Sequence, residues 1–435
     1  MIAKEQQYTR LENAMLRLTL TSAGLELSSP SCTNFILEPL RPQITIDDVL
    51  YDGDVAVQNT IDGNSFSITW KFGTSSFQLI QHFLQGTDNA IVVKNTLRND
   101  GNTEATLNRV RLLNVETSNG GRCELGDGNG LRFYEQSNTA AQVRVSGSSG
   151  MSVGVQEDPT QVVNANGDSQ MCWVAYNAAQ RFAWLVGFVT SDRFDGRIET
   201  AEISTGDWQQ WAVGFDGGDL LVDGNSEVAL EEIVMFADND ATRLLETYGD
   251  WVKQRHNLKV LNYSPVTWCS WYAYRFKMTH DRVVANAHIA MQRLQPLGLS
   301  IFEVDLGWEK QYLPSSYEEN AQFPSGLQGL SDALEELGFQ LGVWRSFATI
   351  SAFDAVAKEH PEWLVGSPTQ QPAELGEWYW IPHGQTYALD LTHPDAQNWL
   401  REKVASIFQR GAQYIKADFA GVITWPQLRR RHDSH

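Results

Sequence analysis

The segment Tyr414-Ile-Lys-Ala-Asp-Phe419 decides the fold class, since it is the last of four short strand patterns that alternate with helical patterns. Such alternation is typical of βα units and of a parallel sheet, either open or closed into a barrel. The predicted strands cover 266–272, 301–305, 340–344 and 414–419. The predicted helices cover 281–294, 327–337, 352–359 and a stretch from the N-cap Thr392 to Gly411. A closed eight-stranded barrel needs about 250 residues, so the residues from 265 onward supply roughly half a barrel.

The residues before this region show the pattern of a β domain. Alternating or β-branched segments, such as 66–72, 77–83 and 91–97, are separated by turn sequences rich in Asp, Asn and Gly. More than ten such strands without a helical pattern predict a β-sandwich, and helical spacing then begins. We therefore predict a multi-domain β plus α/β protein with a β-sandwich at 1–240, a linking helix at 241–263, a partial (β/α)8 barrel at 264–424 and a basic tail at 425–435.

Composition limits the partners and the location of the protein. The 435 residues carry a formal net charge of −20, which argues against nucleic acid or an anionic membrane as a partner. The N-terminus lacks the apolar stretch of a signal peptide and no apolar run reaches 18 residues, so we expect a cytoplasmic protein. Its four cysteines form no CxxC pair and no glycine-rich phosphate motif follows a strand, so we predict neither a metal nor a cofactor.

Polar or aromatic residues lie at the end of every predicted strand of the C-terminal region. In parallel α/β folds, ligands bind beyond the carboxyl ends of the strands, so we expect these side chains to share one site. The residues are Tyr272, Asp305, Trp344, Arg345, Lys416 and Asp418. Lys416 and Asp418 are two apart on a strand and point the same way, which places an ammonium beside a carboxylate and keeps the carboxylate ionised. Each residue taken alone has a structural alternative, such as a helix cap for an Asp or a core position for a Trp.

Seven motifs resemble those of glycoside hydrolase family 36, the clan D α-galactosidases and their galactosyl-transferring relatives. They are Trp268-Cys-Ser-Trp-Tyr272, Val304-Asp-Leu-Gly-Trp308, Phe323-Pro-Ser-Gly326, Gly342-Val-Trp344, His360-Pro-Glu-Trp363, Leu389-Asp-Leu-Thr-His-Pro394 and Tyr414-Ile-Lys-Ala-Asp-Phe419. The resemblance is specific from about 265 to 419. It implies a β-supersandwich ahead of a (β/α)8 barrel, and a retaining glycosidase that cleaves terminal α-galactosides of the raffinose or melibiose type in carbohydrate catabolism.

The resemblance also implies roles for individual residues. Asp418 matches the nucleophile, and Lys416 and Asp305 match groups that bind sugar hydroxyls. Tyr272 and Trp344 match aromatic walls of the sugar pocket, and Trp308 belongs to the same substrate-binding set. The family usually has Asp-Asp-Gly where this chain has Asp305-Leu306-Gly307, which puts galactose selectivity in doubt. Arg345 is the substitute that we consider for the missing hydroxyl contact.

The second departure from the family concerns the acid/base. The resemblance implies an acidic residue on a later strand, whereas this chain ends seventeen residues after Asp418. We therefore predict a truncated form whose acid/base lies beyond the C-terminus, and whose activity is open. Two alternatives remain, a galactosyl transferase of the raffinose-synthase type and a non-catalytic carbohydrate-binding fragment. The predicted partner is a small oligosaccharide, and a homo-oligomer is left open.

Overall fold

The computed structural model describes residues 9–62, 64–126, 131–136, 141–145, 166–204, 207–366, 372–377 and 385–419. The predicted tail at 425–435 lies outside these residues. The chain divides into two compact units, with the boundary between Val260 and Leu261. None of the helices in the described ranges has both the length and the apolar character that a membrane crossing requires.

The first unit is built mainly of antiparallel strands. Within the described residues, eighteen strands belong to it, and all the pairings between them are antiparallel. They are β1 (Arg10–Glu12), β2 (Arg17–Thr21), β3 (Gly24–Ser28), β4 (Phe35–Ile46), β5 (Val49–Asp62), β6 (Ser65–Phe72), β7 (Phe77–Gln85), β8 (Ile91–Asn99), β9 (Ala105–Glu116), β10 (Arg122–Leu125), β11 (Leu131–Gln136), β12 (Ala141–Val145), β13 (Asn166–Gln170), β14 (Cys172–Asn177), β15 (Phe182–Phe188), β16 (Gly196–Ser204), β17 (Asp207–Val222) and β18 (Ser226–Asp238).

Alternating burial along these strands builds an aromatic core. In β7, Phe77, Leu79 and Phe83 are buried, while the residues between them are partly exposed or polar. Phe83 stacks on Phe66 of the neighbouring strand, with 4.9 Å between the ring centroids. The fully buried tryptophans of this unit are Trp70, Trp173, Trp184, Trp208 and Trp211. These five rings fill the interior and present no open face to a ligand.

Helix α1 (Ala241–Arg255) belongs to the first unit, although the sequence predicted a linking helix. Asp240 caps it by accepting hydrogen bonds from the backbone of Thr242 and Arg243. The hydroxyl of Tyr248 donates to the Phe188 carbonyl at 2.6 Å, and its ring lies where a Cβ at Gly187 would be. The helix therefore docks on β15, and the glycine in that strand makes room for it.

The second unit contains a parallel sheet of four strands with the order β19-β20-β21-β25. The strands are β19 (Val266–Cys269), β20 (Leu299–Val304), β21 (Gln340–Arg345) and β25 (Ala412–Ala417). The helices are α2 (Trp271–Tyr274), α3 (His280–Arg293), α4 (Gly326–Glu335), α5 (Ala355–Glu359) and α6 (Pro394–Gln409). Helix α6 has His393 as its N-cap, one residue after the predicted Thr392, and Pro394 takes the first helical position.

A small antiparallel sheet that the sequence patterns did not predict lies between β21 and α6. It has the order β22-β24-β23 and consists of β22 (Thr349–Ser351), β23 (Glu374–Glu377) and β24 (Gln385–Ala388). These strands have only three or four residues each, which is too short for a two-residue alternation to stand out in the sequence.

The two faces of the parallel sheet differ in chemistry because successive side chains on a strand point to opposite sides. One face is apolar and packs with α3 and α4 in a core that includes Phe302, Val304, Leu341, Val343 and Ile415. The other face carries mostly polar groups, which are Cys269, Glu303, Asp305, Trp344, Tyr414 and Lys416. Strand register then places Cys269 opposite Glu303, and Trp344 opposite Lys416. This face positions the candidate site.

Candidate functional site

Asp305 lies immediately after β20 and is held in place by its backbone. Its N–H donates to the hydroxyl of buried Ser270 at 2.9 Å, and its Oδ1 accepts a hydrogen bond from the Leu306 N–H at 2.8 Å. Ser270 follows β19, so two neighbouring strand ends fix the position of this carboxylate. Asp305 is nearly buried, and a carboxylate in that environment needs a cation or hydrogen-bond donors.

Lys416 supplies that cation and links two strand ends. Its Nζ lies 2.7 Å from Asp305 Oδ2 and 4.0 Å from Asp418 Oδ2, with 35% of its side chain exposed. Burial opposes its charge, but the hydrogen bond and the charge of Asp305, and then the charge of Glu303, hold the pKa of Lys416 above its usual range. The ammonium and both carboxylates therefore share one side of the sheet. The nearer partner is Asp305, whereas the sequence predicted Asp418.

Asp418 is fixed but accessible. Its N–H donates to the Arg345 carbonyl at 2.9 Å, which extends the pairing of β25 with β21 by one bond. Its Oδ1 accepts from the Phe419 N–H and its Oδ2 accepts from the Trp344 Nε1–H, both at 2.9 Å. The side chain is still 38% exposed. A carboxylate that is oriented by two donors and open to solvent can act as a nucleophile or accept ligand hydroxyls.

Trp344 holds Asp418 and is otherwise enclosed. Only 1% of the residue is exposed, because it clusters with Leu306 and is covered by Trp271, Phe276 and Phe419. In this arrangement Trp344 is a hydrogen-bond donor to the candidate nucleophile, which differs from the open aromatic wall expected of it. Leu306, the residue that departs from the family motif, belongs to the same apolar cluster.

Tyr272 lies at the opposite extreme of exposure. It is 88% exposed in the short helix α2 that follows β19. An exposed aromatic ring at a strand end is available to contact a ligand. Its role as a pocket wall stays a prediction.

The structure corrects the predictions for Arg345 and Trp308, which are both fully buried. The Arg345 guanidinium donates to the carbonyls of Pro314 and Ser316 at 2.5 and 2.8 Å, and lies 3.4 Å from Glu309 Oε1. Arg345 also stacks over the Tyr317 ring, 3.9 Å from its centroid. Arg345 shares its side of β21 with Val343, so it points into the core and away from Asp418. Neither side chain is placed to contact a sugar.

Glu303 and Cys269 join the site, although neither was predicted from the sequence. Their ligand atoms and a carboxylate oxygen of Asp305 lie within 4.8 Å of one another. Burial, followed by the charge of Asp305, raises the pKa of Glu303 to about 7. Burial, followed by a hydrogen bond with Glu303, raises the pKa of the Cys269 thiol to about 12, so this side chain stays a thiol. The signal for Glu303 was its position two residues before Asp305 on a predicted strand.

The spacing of Cys269, Glu303 and Asp305 would suit a metal ion. However, the Lys416 ammonium already lies at hydrogen-bond distance from Asp305 and provides the positive charge there. We therefore assign no metal to this cluster. What the arrangement offers chemically is an oriented carboxylate at Asp418, and a charged pair that can bind hydroxyl groups at Lys416 and Asp305.

The amino-acid sequence is similar to those of known α-galactosidases. The family model described as Melibiase matches residues 228–435. Alpha-galactosidase AgaA from Geobacillus stearothermophilus is 24% identical over 279 residues, which cover 60% of this chain and 37% of that protein. Alpha-galactosidase Mel36A from Lactobacillus acidophilus is 24% identical over 204 residues, which cover 45% of this chain and 26% of Mel36A. The matched part is thus well under half of each relative.

Solved structures agree on the fold and extend the match to both units. The α-galactosidase from Lactobacillus brevis superposes with a TM-score of 0.63 at 11% identity, covering 96% of this chain and 64% of that one. The structure of AgaA superposes with a TM-score of 0.61 at 12% identity, covering 94% and 65%. Variants of AgaA have also been solved in complex with raffinose and with stachyose. Residues 228–435 of this chain therefore match the melibiase family, and the chain is similar to glycoside hydrolase family 36 α-galactosidases in sequence over this part and in fold over both units.

Proposed function

We propose that this chain binds the terminal galactosyl unit of small α-galactosides, and that Asp418 is the nucleophile of a retaining glycoside hydrolase. The observation that carries the proposal is the position of the Lys416 ammonium, 2.7 Å from Asp305 and 4.0 Å from Asp418. One cation between two carboxylates, at the ends of β20 and β25, can bind sugar hydroxyls while the outer carboxylate faces the anomeric carbon. The complexes of AgaA variants with raffinose and stachyose support this substrate class.

In this proposal, the parallel sheet of the second unit is the first half of a (β/α)8 barrel, and the strands of the first unit form a supersandwich. The four parallel strands with helices packed on one face support the first part. The large antiparallel unit supports the second. The mostly polar face of the parallel sheet would then line the interior mouth of the barrel, where ligands bind in this architecture.

Chemistry at Asp418 proceeds in two steps in this proposal. The carboxylate attacks the anomeric carbon, a covalent glycosyl-enzyme forms, and the bond to the leaving oxygen breaks. Water then releases the sugar with retention of configuration. Departure of a sugar alcohol needs a proton donor, and we assign that role to none of the described residues. An aryl leaving group with a low pKa departs without such help, so it isolates the contribution of Asp418.

The test therefore uses dinitrophenyl α-galactoside and intact-protein mass spectrometry. We expect one equivalent of dinitrophenolate to be released, and the protein mass to increase by one hexosyl residue. Asp418→Asn should abolish both signals because its amide is a poor nucleophile. The matched control is Asp281→Asn, which removes a fully solvated carboxylate in the first turn of α3. If Asp418→Asn still forms the adduct, Asp418 is not the nucleophile.

Non-catalytic sugar binding is the second candidate function. It is favoured by the hydroxyl-binding pair of Asp305 and Lys416, which needs no acid/base to hold a sugar. It predicts that methyl α-galactoside quenches or shifts tryptophan fluorescence, while the activated substrate gives no adduct. Galactosyl transfer, the third alternative, is recognised by a new oligosaccharide when an acceptor sugar is added to the reaction.

We also propose a cytoplasmic location. The support is that the four cysteines, Cys32, Cys123, Cys172 and Cys269, are unpaired thiols. Fractionation of the native host cell, with the protein detected by antibody, tests this location.

A further inference from the structure

A row of side chains crosses the parallel sheet one level below the Asp305–Lys416 pair. Register places Cys269 opposite Glu303, Glu303 opposite Gly342, and Gly342 opposite Tyr414. A Cβ at Gly342 would lie 2.9 Å from the Tyr414 ring and 3.3 Å from the Cα of Glu303. Glycine is therefore needed here because the neighbouring strands bring Glu303 and the Tyr414 ring over its position.

Glu303 is a buried acid in this row without a cation of its own. The residue is 2% exposed, and among the described residues its Oε1 has no hydrogen-bond partner. Every strand of the sheet contributes to its surroundings. The groups that face it are Cys269 from β19, Asp305 after its own strand, Gly342 from β21, which has no side chain to titrate, and Tyr414 and Lys416 from β25.

We propose that Glu303 is a positioning residue, which sets how the Lys416 ammonium is shared between Asp305 and Asp418. The two carboxylates lie on either side of Nζ, at 2.7 and 4.0 Å. Glu303 lies on the Asp305 side, with its carboxylate close to that of Asp305. Negative charge on Glu303 draws the ammonium toward Asp305, and its loss lets the ammonium move toward Asp418.

The charge of Glu303 changes near neutral pH, since burial and the charge of Asp305 raise its pKa to about 7. Below this pH, Glu303 is neutral and Lys416 is freer to approach Asp418. Above it, Glu303 is ionised and Lys416 is held at Asp305. The consequence for ligands rests on the proposed function: sugar affinity should change across neutral pH, because one ammonium serves both the internal pair and the sugar hydroxyls.

Trp344 reports on this movement without any ligand. Its Nε1–H donates to Asp418 Oδ2, which is the same oxygen that lies 4.0 Å from Lys416 Nζ. An approach of the ammonium to this oxygen weakens the indole hydrogen bond, so the indole ¹H–¹⁵N resonance of Trp344 should shift. Trp344→Phe identifies the resonance by its disappearance.

The experiment is a pH titration of that resonance in the full chain, from pH 5.5 to 8.5. We expect a single step with a midpoint near 7 in the parent protein, its loss in Glu303→Gln, and its retention with a moved midpoint in Glu303→Asp. The matched control is Glu309→Gln, since Glu309 is also buried and also has its pKa raised to about 7, but pairs with Arg345. This control should keep the step.

The outcomes separate the inference from the proposed function. A flat parent titration, or a step that survives in Glu303→Gln or in a folded Glu303→Asp without any change of midpoint, overturns the role of Glu303. A step that is lost in Glu309→Gln while Glu303→Gln retains it also overturns it. Calorimetry with methyl α-galactoside at pH 6 and 8 then tests the ligand side. We expect at least a threefold change in affinity for the parent and none for Glu303→Gln, whereas absence of binding at both pH values removes the proposed function only.

Discussion

The parallel sheet carries two cation–carboxylate pairs on its opposite sides, and they have different surroundings. On the helix side, Arg345 and Glu309 are fully buried, and the guanidinium donates to two backbone carbonyls. On the other side, Lys416 pairs with Asp305 and keeps a third of its side chain exposed. The first pair directs its donors to the protein itself. The second leaves donors of a solvent-facing ammonium available to a ligand.

This difference shows that the presence of an ion pair at a strand end does not identify a binding site. A buried pair whose donors bond to backbone carbonyls can hold loops in place. Arg345 does this through its terminal nitrogens, which bond to Pro314 and Ser316 in the segment after β20, whereas its Nε has no partner among the described residues. The pair of Lys416 and Asp305 gives less stability, since water competes for the ammonium, whose side chain is 35% exposed. Its partly exposed ammonium, 4.0 Å from the accessible carboxylate of Asp418, favours a ligand-binding role.

The largest expected effect comes from breaking the buried pair of Arg345 and Glu309. At pH 8, where Glu309 is ionised, Arg345→Met should lower the free energy of unfolding by about 3–5 kcal/mol, because it leaves this carboxylate buried without its cation. Urea unfolding followed by circular dichroism measures the change. Lys416→Met is the matched variant, since it makes the same chemical change on the open side. If both variants lose equal stability, the ion pairs on the two sides of the sheet contribute equally to folding, and the contrast between them is wrong.

Most of the second unit was predictable from the sequence, and the reason is periodicity. Four strand patterns separated by helical patterns led to the four parallel strands, and polar strand ends led to Asp305, Lys416 and Asp418. The two-residue periodicity of a strand could also have predicted which side of the sheet the neighbouring residues face. Glu303 has the parity of Asp305 and lies on the site side, whereas Arg345 has the parity of Val343 and lies in the core.

Features that the sequence patterns did not reveal lie where no period applies. Trp308 follows Gly307, whose φ of +132° takes the chain out of the strand, so its direction depends on tertiary packing. Helix α1 has the amphipathic pattern of any surface helix, and the pattern does not say which unit it covers. Residues of β22, β23 and β24 are paired by long-range contacts between very short segments.

The pH dependence of stability should differ between the two pairs. Burial, against the opposing charge of Arg345, raises the pKa of Glu309 to about 7 from 4.5. Between these values the folded state holds a proton that the unfolded state has released. The contribution is therefore fully present below pH 4.5 and is lost as the pH rises through 7, by about 3 kcal/mol.

Glu309→Gln should remove this loss, so its unfolding free energy should fall less than that of the parent between pH 5 and 8. The comparison is made by urea unfolding at each pH, with Glu335→Gln as a control for an acid on the surface of α4. If the unfolding free energy changes equally with pH in the parent and in Glu309→Gln, the Glu309 carboxyl stays ionised in the folded protein. The Arg345–Glu309 pair would then be charged over the whole pH range.

Breaking the partly exposed pair of Lys416 and Asp305 should give the smallest change in stability and the clearest change in function. Lys416→Met should lower the free energy of unfolding by about 1 kcal/mol, since the ammonium is partly solvated and Asp305 keeps its bond from the Leu306 N–H. The same variant should weaken binding of methyl α-galactoside by about 10- to 100-fold, the value of a charged hydrogen bond to a hydroxyl. Calorimetry measures the binding and urea unfolding the stability. If Lys416→Met loses stability but keeps its affinity for the sugar, Lys416 is a structural residue like Arg345. A donor that faces the ligand should instead show a large loss of affinity with a small loss of stability.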